Sequence, residues 1–415
     1  MRRDSLPFHV LPGRPTQAVI LAGGRGTRMR PYTDDRPKPM VEIGGKPFLE
    51  YLVELLRDQG FDRVLMLLGY LPQMIQEYFG DGSSWGVQID YSVSEADDLT
   101  GRRVQLARNK IDPCFLLMYC DNYWPMPFER MWKKFSDAKV PGMITVYSNR
   151  DKYSRDSVLV GEDSYVQVFD RSRTTAGLQG VEISYAILKK EVLNLLPDED
   201  MLIEEALYPS LTKQRQLLAF VSDHRYYSVG SPERLPLTTN FFARRPTVIL
   251  DRDGVLNKRP PKAEYVQTWE QFQWIPGAKE ALRRFREAGY RIIVVSNQAG
   301  VARGALTEAD LNRINDQMIA EANQAGGGID AIYCCLHDWD EGCECRKPRP
   351  GMLFQAQREH DLDLTRTWFI GDDERDAQAA DAACCPSRLV TEQVTLLEIA
   401  NSLLSGSARH SRRST

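Results

Sequence analysis

The chain has few of the features that mark secreted, membrane-spanning or nucleic-acid-binding proteins. Its 415 residues include eight cysteines and five histidines, too few cysteines for a disulfide framework in a chain of this length. The longest apolar runs, such as Phe115–Tyr119, are far shorter than a membrane span, and no apolar stretch follows Arg2 and Arg3 to form a secretory signal. With a formal net charge of -4, the chain has no bulk attraction for nucleic acid or anionic membranes. We therefore expect a cytoplasmic protein that acts on small molecules, with no nucleic-acid or membrane partner.

Short apolar runs alternate with longer amphipathic ones, which is typical of strands and helices that build a parallel sheet. One series begins at Gln17 with "QAVILAGG" and "PFLEYLVELLRDQG", and a second begins at Thr247 with "TVILDRDG" and "GAKEALRRFREAG". The short basic junction Phe241–Pro246 separates them. The pattern predicts two tandem α/β domains, at residues 16–243 and 244–404, between an N-terminal tail at residues 1–15 and a disordered tail at residues 405–415.

Two carboxylates follow the first strand of the second domain. Asp251 and Asp253 lie just past "TVIL", where open α/β sheets place their chemistry. One carboxylate could attack a phosphorus while the other protonates the leaving oxygen and later activates water, provided that a cation screens their repulsion. A solvated turn is the alternative, because Asp and Gly are common in turns. The catalytic interpretation is favoured by polar residues at later strand ends and in one loop, namely Ser296, Asn297, Lys347 and Asp372.

The order of these motifs along the chain resembles that of the haloacid dehalogenase (HAD) phosphohydrolases, namely Asp-x-Asp-Gly, strand-Ser, Lys and Gly-Asp-Asp. The resemblance covers about residues 246–397 and implies an aspartyl-phosphate mechanism, with Asp251 as the nucleophile and Asp253 as the acid/base. It also implies that Ser296 and Lys347 hold the phosphoryl oxygens. Mg²⁺ would be bound by Asp251, Asp372 and the backbone carbonyl of Asp253.

Three cysteines and a histidine lie close together in "CLHDWDEGCEC". Cys335-x-His337 and Cys343-x-Cys345 offer three thiolates and an imidazole, a complete tetrahedral set with no open position, as in structural zinc sites. A redox dithiol or a chance cluster are the alternatives. We expect zinc to fix the loop that presents the adjoining "RKP".

The strings "SNQAGVARG" and "CECRKPRPGM" are similar to motifs of one branch, the D-glycero-D-manno-heptose 1,7-bisphosphate phosphatases. This resemblance implies that Arg346 contacts the second phosphate of the substrate, and it places Asn297 and Arg303 among the substrate-binding residues. The histidinol phosphatases share the zinc loop and are the nearest alternative. Asp373 departs from the pattern, since the heptose phosphatases carry a lysine at that position.

A glycine-rich loop follows the first strand of the first domain, in "ILAGGRGTRMRPYTDDRPKPM". Backbone N–H groups at Gly23, Gly24 and Gly26 can approach phosphates, while Arg28 and Lys38 add positive charge. The string resembles the G-G-x-G-T-R…P-K-P signature of the sugar-1-phosphate nucleotidyltransferases, which implies a Rossmann-like domain. In that family Arg28 would bind a nucleoside triphosphate, and Lys38 the phosphates at the reacting centre.

This second resemblance covers about residues 17–240. It implies that a sugar 1-phosphate attacks the α-phosphorus of the triphosphate and that pyrophosphate leaves. Lys152 would bind the sugar phosphate, and Asp121 matches the family's Mg²⁺-binding aspartate. Glu204 and Glu205 resemble an acidic pair of the family, although for Glu205 we favour a role as helix N-terminal charge.

Two segments depart from the nucleotidyltransferases. Where a P-L-G-T-x-G-like loop usually binds base and sugar, this chain has the more basic Asp98–Arg103. Where the family completes its Mg²⁺ site with an aspartate, this chain has Ser228, and a serine is a far poorer ligand. Asp223 could substitute, but strand alternation would place it on the opposite face if both residues lie on one strand.

Together these patterns predict a bifunctional enzyme of nucleotide-activated heptose synthesis, with Mg²⁺ and structural zinc as cofactors. It would hydrolyse the 7-phosphate of a heptose 1,7-bisphosphate and transfer a nucleotidyl group from a nucleoside triphosphate to the heptose 1-phosphate. The main alternative is a phosphatase for heptose bisphosphate or histidinol phosphate whose first domain only binds nucleotide or sugar. The nucleobase, the sugar anomer and the oligomeric state stay open.

Overall fold

The structure, a computed structural model, describes the backbone of residues 13–411 and the side chains as far as residue 405. The chain divides into two compact units, residues 1–242 and 243–415. The division falls one residue before the domain boundary expected from the Phe241–Pro246 junction.

The first unit is built on a mixed sheet. Its strands are β1 (Gln17–Ala22), β2 (Glu42–Ile43), β3 (Lys46–Pro47), β4 (Arg63–Leu68), β5 (Gln88–Val93), β6 (Cys114–Tyr119), β7 (Asn122–Tyr123), β8 (Gly142–Tyr147), β9 (Val158–Val160), β10 (Val166–Phe169), β11 (Val181–Lys189), β12 (Leu217–Ser222) and β13 (Tyr227–Ser228). The main sheet has the order β12-β8-β11-β6-β1-β4-β5, and its neighbouring strands are parallel except that β11 runs antiparallel to both of its neighbours.

Helices cover both faces of this sheet. They are α1 (Phe48–Asp58), α2 (Pro72–Phe79), α3 (Thr100–Ala107), α4 (Phe128–Ala138), α5 (Ile203–Lys213) and α6 (Leu235–Phe242). Alternate residues of β1 point to opposite faces, so Ala18 and Ile20 join one apolar core while Val19 and Leu21 join the other. Burial on both faces explains why the central strands are continuous apolar runs.

The second unit repeats this architecture on a smaller, fully parallel sheet. Its strands are β14 (Thr247–Leu250), β15 (Arg291–Asn297), β16 (Ala331–Cys335), β17 (Trp368–Gly371) and β18 (Ser387–Leu389), in the order β16-β15-β14-β17-β18. Its helices are α7 (Ala278–Glu287), α8 (Glu308–Gln324), α9 (Gly351–His360), α10 (Glu374–Ala382) and α11 (Leu396–Ser411). The prediction of two tandem α/β domains is confirmed.

In both sheets the strand order reverses beside the first strand. In the first unit β4 and β5 lie on one side of β1 and β6 lies on the other, and in the second unit β15 and β16 lie on one side of β14 and β17 on the other. Ligands of open α/β sheets bind outside the carboxyl ends of the strands at such a reversal. The glycine-rich loop and Asp121 follow β1 and β6, and Asp251 and Asp372 follow β14 and β17.

The C-terminal segment differs from the expected disordered tail. Helix α11 continues to Ser411, so residues 405–411 are helical, and residues 412–415 lie outside the described part of the chain. The polar composition after Ser405 suggested disorder, but the helix is already established by the apolar residues Leu396, Ile399 and Ala400, which are buried. Most of the expected N-terminal tail, residues 1–12, also lies outside the described range. No helix within that range is both long and apolar enough to cross a bilayer.

Candidate active sites

Three carboxylates converge at the strand-order reversal of the second unit. One oxygen each of Asp251, Asp372 and Asp376 lies within 4.8 Å of the other two. Asp251 follows β14, Asp372 follows β17, and Asp376 lies in the first turn of α10. Burial raises the pKa of Asp251, and it raises that of Asp372 to about 6. Such a cluster needs positive charge to hold its carboxylates ionised.

Lys347 supplies part of that charge. Its Nζ lies 2.8 Å from Asp251 Oδ2 and 2.7 Å from Asp376 Oδ1, and the side chain is 4% exposed. Burial disfavours the charged ammonium group, but the two carboxylates outweigh burial and raise the pKa of Lys347. Asn297 fixes the lysine backbone, because its side chain accepts from the N–H of Lys347 and donates to its carbonyl, both at 3.1 Å. The structure thus brings Lys347 and Asn297 together with the expected nucleophile.

Asp376 did not emerge from the sequence analysis, although it belongs to "GDDERD". Its Oδ2 accepts from the backbone N–H groups of Asp372 and Asp373, each at 3.1 Å. Asp373 and Asp376 also form the capping box of α10. An acidic residue three positions after an N-cap predicts such a box from sequence, but it does not predict that the carboxylate also forms an ion pair with Lys347.

Asp253 faces a different set of partners. Arg252, which is fully buried, donates to both of its oxygens, and Asn257 and Gln298 donate to one oxygen each. Burial disfavours the charge on Asp253, but these donors outweigh burial and lower its pKa. Gln298 also donates to Ser296 Oγ at 2.8 Å, so it links the expected acid/base to the expected phosphate-binding serine.

The carboxylate cluster fits a hard divalent cation such as Mg²⁺. Asp372 Oδ1 is buried and has no hydrogen-bond partner among the described residues, while its Oδ2 lies 3.3 Å from Arg259. Oxygen ligands of this kind are those that Mg²⁺ prefers. Gly254 makes the close approach possible, since its φ is +94° and a Cβ there would lie 1.8 Å from Asp372 Oδ2.

A cavity of about 740 Å³ opens over the cluster. Its lining includes the expected Asp251, Asp253, Ser296, Asn297, Arg346 and Lys347, and the unexpected cations Arg259, Lys262 and Arg375. Nothing in the sequence pattern distinguishes these three cations from solvated surface charges.

Arg303 and Asp373 both form ion pairs near the cavity of the second unit. Arg303 is not among the described residues that line the cavity; it pairs with Asp338 at 2.7 Å and stacks 3.8 Å from the ring centre of Trp339, which does line it. Asp373 pairs with Arg259 and Arg375 and caps α10, so it stands outside the carboxylate cluster.

The expected zinc ligands converge at the end of β16 and in the loop that follows it. One atom each of Cys335, His337, Cys343 and Cys345 lies within 4.8 Å of the others. Cys343 Sγ is 3.6 Å from the sulfur atoms of Cys335 and Cys345, and Cys345 Sγ is 3.2 Å from His337 Nδ1. Sulfur atoms that share a tetrahedral zinc at about 2.3 Å are about 3.8 Å apart. The spacing therefore fits a structural zinc ion.

The glycine-rich loop of the first unit lies beside a lysine–aspartate pair. Lys38 Nζ is 2.5 Å from Asp121 Oδ2, and both side chains are largely buried. Burial disfavours the charge on Lys38, but Asp121 outweighs burial and raises the lysine pKa. Gly26 has a φ of +64°, and a Cβ there would lie 2.9 Å from Lys38 Cβ, so a glycine is needed. A small cavity of about 160 Å³ is lined by Gly26, Thr27, Arg28, Lys38 and Gly230.

A second cavity of the first unit, of about 500 Å³, shares Arg28 with the small one and reaches Asp121. Its lining includes Arg171, which Glu204 and Glu205 hold at 3.1 and 3.4 Å. Lys152 does not reach this cavity: its ammonium group pairs with Asp156 at 3.2 Å, and the side chain is 74% exposed. The cavity therefore offers several arginines, among them Arg171, and not the expected Lys152, to an anionic group.

Ser228 lies next to Asp121, as its sequence position suggested. It pairs with Asn122 across the β7–β13 ladder and lines the same cavity as Asp121. Asp223 does not replace the missing carboxylate, because it bonds to Ser148 and lies 3.7 Å from Arg150. The segment Asp98–Arg103 includes the first residues of α3, and Arg103, its last residue, is buried.

Comparisons with known proteins assign different families to the N-terminal and C-terminal parts of the chain. Residues 17–156 match the family described as nucleotidyl transferase, and residues 156–383 match the haloacid dehalogenase-like hydrolases. The second match begins inside the first unit, whereas the second compact unit begins at Ala243.

Curated relatives match the hydrolase part. The D-glycero-beta-D-manno-heptose-1,7-bisphosphate 7-phosphatase of Bordetella bronchiseptica is 41% identical over 143 residues, which is 34% of this chain and 79% of that protein. The D-glycero-alpha-D-manno-heptose-1,7-bisphosphate 7-phosphatase of Campylobacter jejuni is 42% identical over 132 residues, which is 32% of this chain and 74% of that protein.

Among solved structures, HddC from Yersinia pseudotuberculosis complexed with GMP-PN is 27% identical, with a TM-score of 0.46, and the match covers 55% of this chain and 99% of that chain. The B. bronchiseptica D,D-heptose 1,7-bisphosphate phosphatase complexed with magnesium and phosphate is 35% identical, with a TM-score of 0.36, over 39% of this chain and 98% of that chain. From the two family matches and the coverage of the curated phosphatases, the chain belongs to the haloacid dehalogenase-like hydrolases and carries a nucleotidyl transferase domain ahead of its hydrolase domain.

Proposed function

We propose that the chain catalyses two consecutive steps of nucleotide-activated heptose synthesis. The second domain, residues 244–404, removes the 7-phosphate of D-glycero-D-manno-heptose 1,7-bisphosphate. The first domain, residues 16–243, then transfers a nucleotidyl group from a nucleoside triphosphate to the resulting heptose 1-phosphate. The observation that carries the phosphatase step is the convergence of Asp251, Asp372 and Asp376 around Lys347 at the strand-order reversal.

In the phosphatase step, the Asp251 carboxylate attacks the phosphorus and the bond to the sugar oxygen breaks. Because its pKa is lowered in the free site, Asp253 must first take up a proton when the anionic substrate binds. It gives that proton to the leaving oxygen, so the sugar alcohol leaves and Asp251 carries an acyl phosphate. Asp253 then takes a proton from water, which attacks the acyl phosphate and regenerates the Asp251 carboxylate with inorganic phosphate as the product. A bound Mg²⁺ would supply charge that screens the carboxylates and the phosphoryl group, and the acidic cluster and the backbone carbonyl of Asp253 would hold it.

The remaining cavity residues suit a second phosphate on the substrate. Lys347 and Ser296 hold the oxygens of the reacting phosphoryl group in this proposal. Arg346, with Arg259 and Lys262 along the same cavity, offers guanidinium and ammonium donors to the 1-phosphate. Arg259 already pairs with Asp372 and Asp373, but a monophosphate such as histidinol phosphate would bring no second phosphate to Arg346 and Lys262, which favours a bisphosphate.

In the transfer step, the first domain aligns two anionic substrates. The backbone of the glycine-rich loop and Arg28 hold the triphosphate, and Lys38 stabilises charge at the α-phosphorus when the sugar phosphate oxygen attacks and pyrophosphate leaves. Arg171, in the larger cavity, offers donors to the heptose 1-phosphate. A bound Mg²⁺ would neutralise part of the phosphate charge, with Asp121 as its protein ligand.

One observation favours a second candidate function, in which the first domain binds nucleotide or sugar without catalysis. Among the described side chains, Asp121 belongs to no group of three possible metal ligands, and Ser228 stands where a second carboxylate would help. A single carboxylate can nevertheless be enough, because Mg²⁺ keeps several waters and binds largely through substrate phosphates.

The experiment that separates these functions is incubation of the full chain with heptose 1,7-bisphosphate, Mg²⁺ and each nucleoside triphosphate in turn. The 7-phosphatases among its relatives are named for both the alpha and the beta substrate, so each anomer is supplied separately. We expect phosphate, pyrophosphate and a nucleotide-activated heptose. Phosphate without pyrophosphate supports the binding module. In a parallel incubation with histidinol phosphate, release of phosphate from that compound but not from heptose 1,7-bisphosphate contradicts the heptose assignment.

We also propose that one zinc ion per chain is held by the thiolate of Cys335 at the end of β16 and by the two thiolates and the imidazole of the loop that follows. The tetrahedral spacing of the four ligand atoms supports this site, and a closed ligand set leaves no position for substrate. Its role is to order the loop that carries Arg346 and Lys347. A protein that uses sugar phosphates and nucleoside triphosphates and keeps thiolate ligands reduced is suited to the cytoplasm, where we place it.

A further inference from the structure

Arg103 is a buried cation in Asp98–Arg103, one of the two segments of the first domain that depart from the nucleotidyltransferase pattern. It lies in the first turns of α3 and is 3% exposed, whereas its neighbour Arg102 is exposed. One terminal nitrogen donates to the carbonyl of Leu68 at 2.9 Å and to Ser94 Oγ at 2.8 Å. The other donates to the carbonyls of Gly23 at 3.2 Å and of Ala96 at 3.1 Å.

These four acceptors belong to the carboxyl ends of three neighbouring strands. Gly23 begins the loop after β1, Leu68 ends β4, and Ser94 and Ala96 follow β5. The single guanidinium group therefore ties the glycine-rich loop to the ends of β4 and β5.

Two glycines leave the space that the guanidinium group fills. A Cβ at Gly23 would lie 2.3 Å from Arg103 Cζ, and a Cβ at Gly69 would lie 2.3 Å from one of its terminal nitrogens. The four N–H bonds of the two terminal nitrogens match the four acceptors. Neither terminal nitrogen has an N–H bond left for a ligand, so both act on the loop and the strand ends; only the Nε–H, the fifth donor of the group, stands outside this set.

We propose that Arg103 is a positioning residue for the nucleoside triphosphate, an inference that rests on the proposed transfer function. By holding the Gly23 carbonyl it fixes the direction in which the N–H groups of residues 24–28 point, and these groups face the phosphates. Arginine keeps its charge in proteins, so it also places a positive charge behind the loop. Burial lowers the pKa of Arg103, and Asp98 and Asp200 oppose that effect.

The test compares Arg103→Met, Arg103→Lys and the matched control Arg102→Met in the full chain. Binding of each nucleoside triphosphate is measured by calorimetry, and KM is measured separately for triphosphate and for heptose 1-phosphate. We expect Arg103→Met to raise the Kd and KM for the triphosphate at least about tenfold, a loss of about 1.4 kcal/mol. Arg103→Lys should be intermediate, because an ammonium group has three donors for four acceptors. Arg102→Met should leave both constants unchanged, and the KM for heptose 1-phosphate should stay near wild type in all three variants.

Several outcomes overturn the positioning role. Unchanged triphosphate affinity in folded Arg103→Met contradicts it, and tighter binding means that the guanidinium group occupies room that the nucleotide needs. Equal weakening by Arg102→Met reduces the effect to general charge. Circular dichroism and the phosphatase rate of the second domain show whether Arg103→Met folds. If it does not, the Kd and KM of Arg103→Lys for the triphosphate decide instead. A wild-type chain that binds no triphosphate contradicts the transfer function itself, whereas normal wild-type binding with an unaffected variant contradicts only the role of Arg103.

Discussion

Asp376 provides the sharpest test of how the phosphatase site is held together. Asp376→Asn keeps the side-chain shape but removes the charge that faces Lys347 and the N–H groups of Asp372 and Asp373. Removing one partner of a buried ion pair typically costs about 3–5 kcal/mol. Here Lys347 retains Asp251 at 2.8 Å, and the repulsion among three carboxylates is relieved, so we expect a smaller loss. Our estimate is about 2–3 kcal/mol in the free energy of unfolding of the second unit, just below the buried-pair range.

This loss is measurable by calorimetry of the full chain without divalent cations. For a unit of this size 1 kcal/mol corresponds to about 2–4 °C, so the transition of the second unit should fall by roughly 4–12 °C. Hydrogen exchange should locate the destabilisation to β17 and α10. With Mg²⁺ added, the phosphatase should need a higher metal concentration, because Asp376 both belongs to the cluster and orients the backbone of Asp372.

Glu374→Gln is the matched control, since it removes one negative charge from the exposed face of the same helical turn. We expect it to change neither the transition temperature nor the metal requirement. The reasoning is refuted if Asp376→Asn melts like wild type, or if the two variants lose stability equally, because either result would make the pairing with Lys347 irrelevant.

Three further predictions concern the separate sites. Cys343→Ser should lose bound zinc and lower thermal stability, while Cys334→Ser, one residue outside the ligand set, should retain both; metal analysis and melting check this, and a zinc-free wild type purified without chelators would contradict it. Asp251→Asn should lower phosphate release by on the order of 10³-fold or more, while transfer to supplied heptose 1-phosphate continues. Lys38→Met should lower transfer about 10²-fold and leave phosphate release unchanged. Equal loss of both activities in a folded variant would contradict separate sites. Ser228→Asp should lower the Mg²⁺ concentration needed for half-maximal transfer, and a rise in that concentration would mean that Ser228 serves another role.

The sequence was most informative where local pattern and topology act together. Apolar runs such as "TVIL" and "WFIG" predict buried strands, and a parallel sheet brings the residues at their carboxyl ends to one edge. For this reason Asp251 and Asp372 could be expected to lie together from the sequence alone. The zinc ligands could be expected because two pairs with one-residue spacing and a short intervening loop leave few alternatives to a shared ion.

It was least informative for long side chains that cross between elements. Lys152 and Arg171 are both basic residues in exposed segments, and only the packing of the β9–β10 hairpin against α5 shows which of them meets Glu204. From the sequence, Arg103 would be predicted to be an exposed charge on a short helix, because the glycines that leave space for it, Gly69 and Gly23, are 34 and 80 positions away in the chain. Such choices depend on tertiary space that no local period encodes.

The two sites share one electrostatic arrangement, which affects how tightly a cation and a phosphate bind to them. In each, a largely buried lysine is paired with the aspartate expected to bind a metal: Lys38 with Asp121, and Lys347 with Asp251. A phosphate draws the ammonium group toward itself and leaves the carboxylate uncompensated, while a divalent cation compensates the carboxylate and leaves the ammonium group uncompensated. In the first unit each ligand alone would therefore create an unpaired buried charge, which is costly, whereas in the second unit Asp376 still pairs with Lys347 when a cation binds. Together the two ligands satisfy both groups, so the cation and the phosphate should bind more tightly as a pair than either does alone, with the larger effect in the first unit.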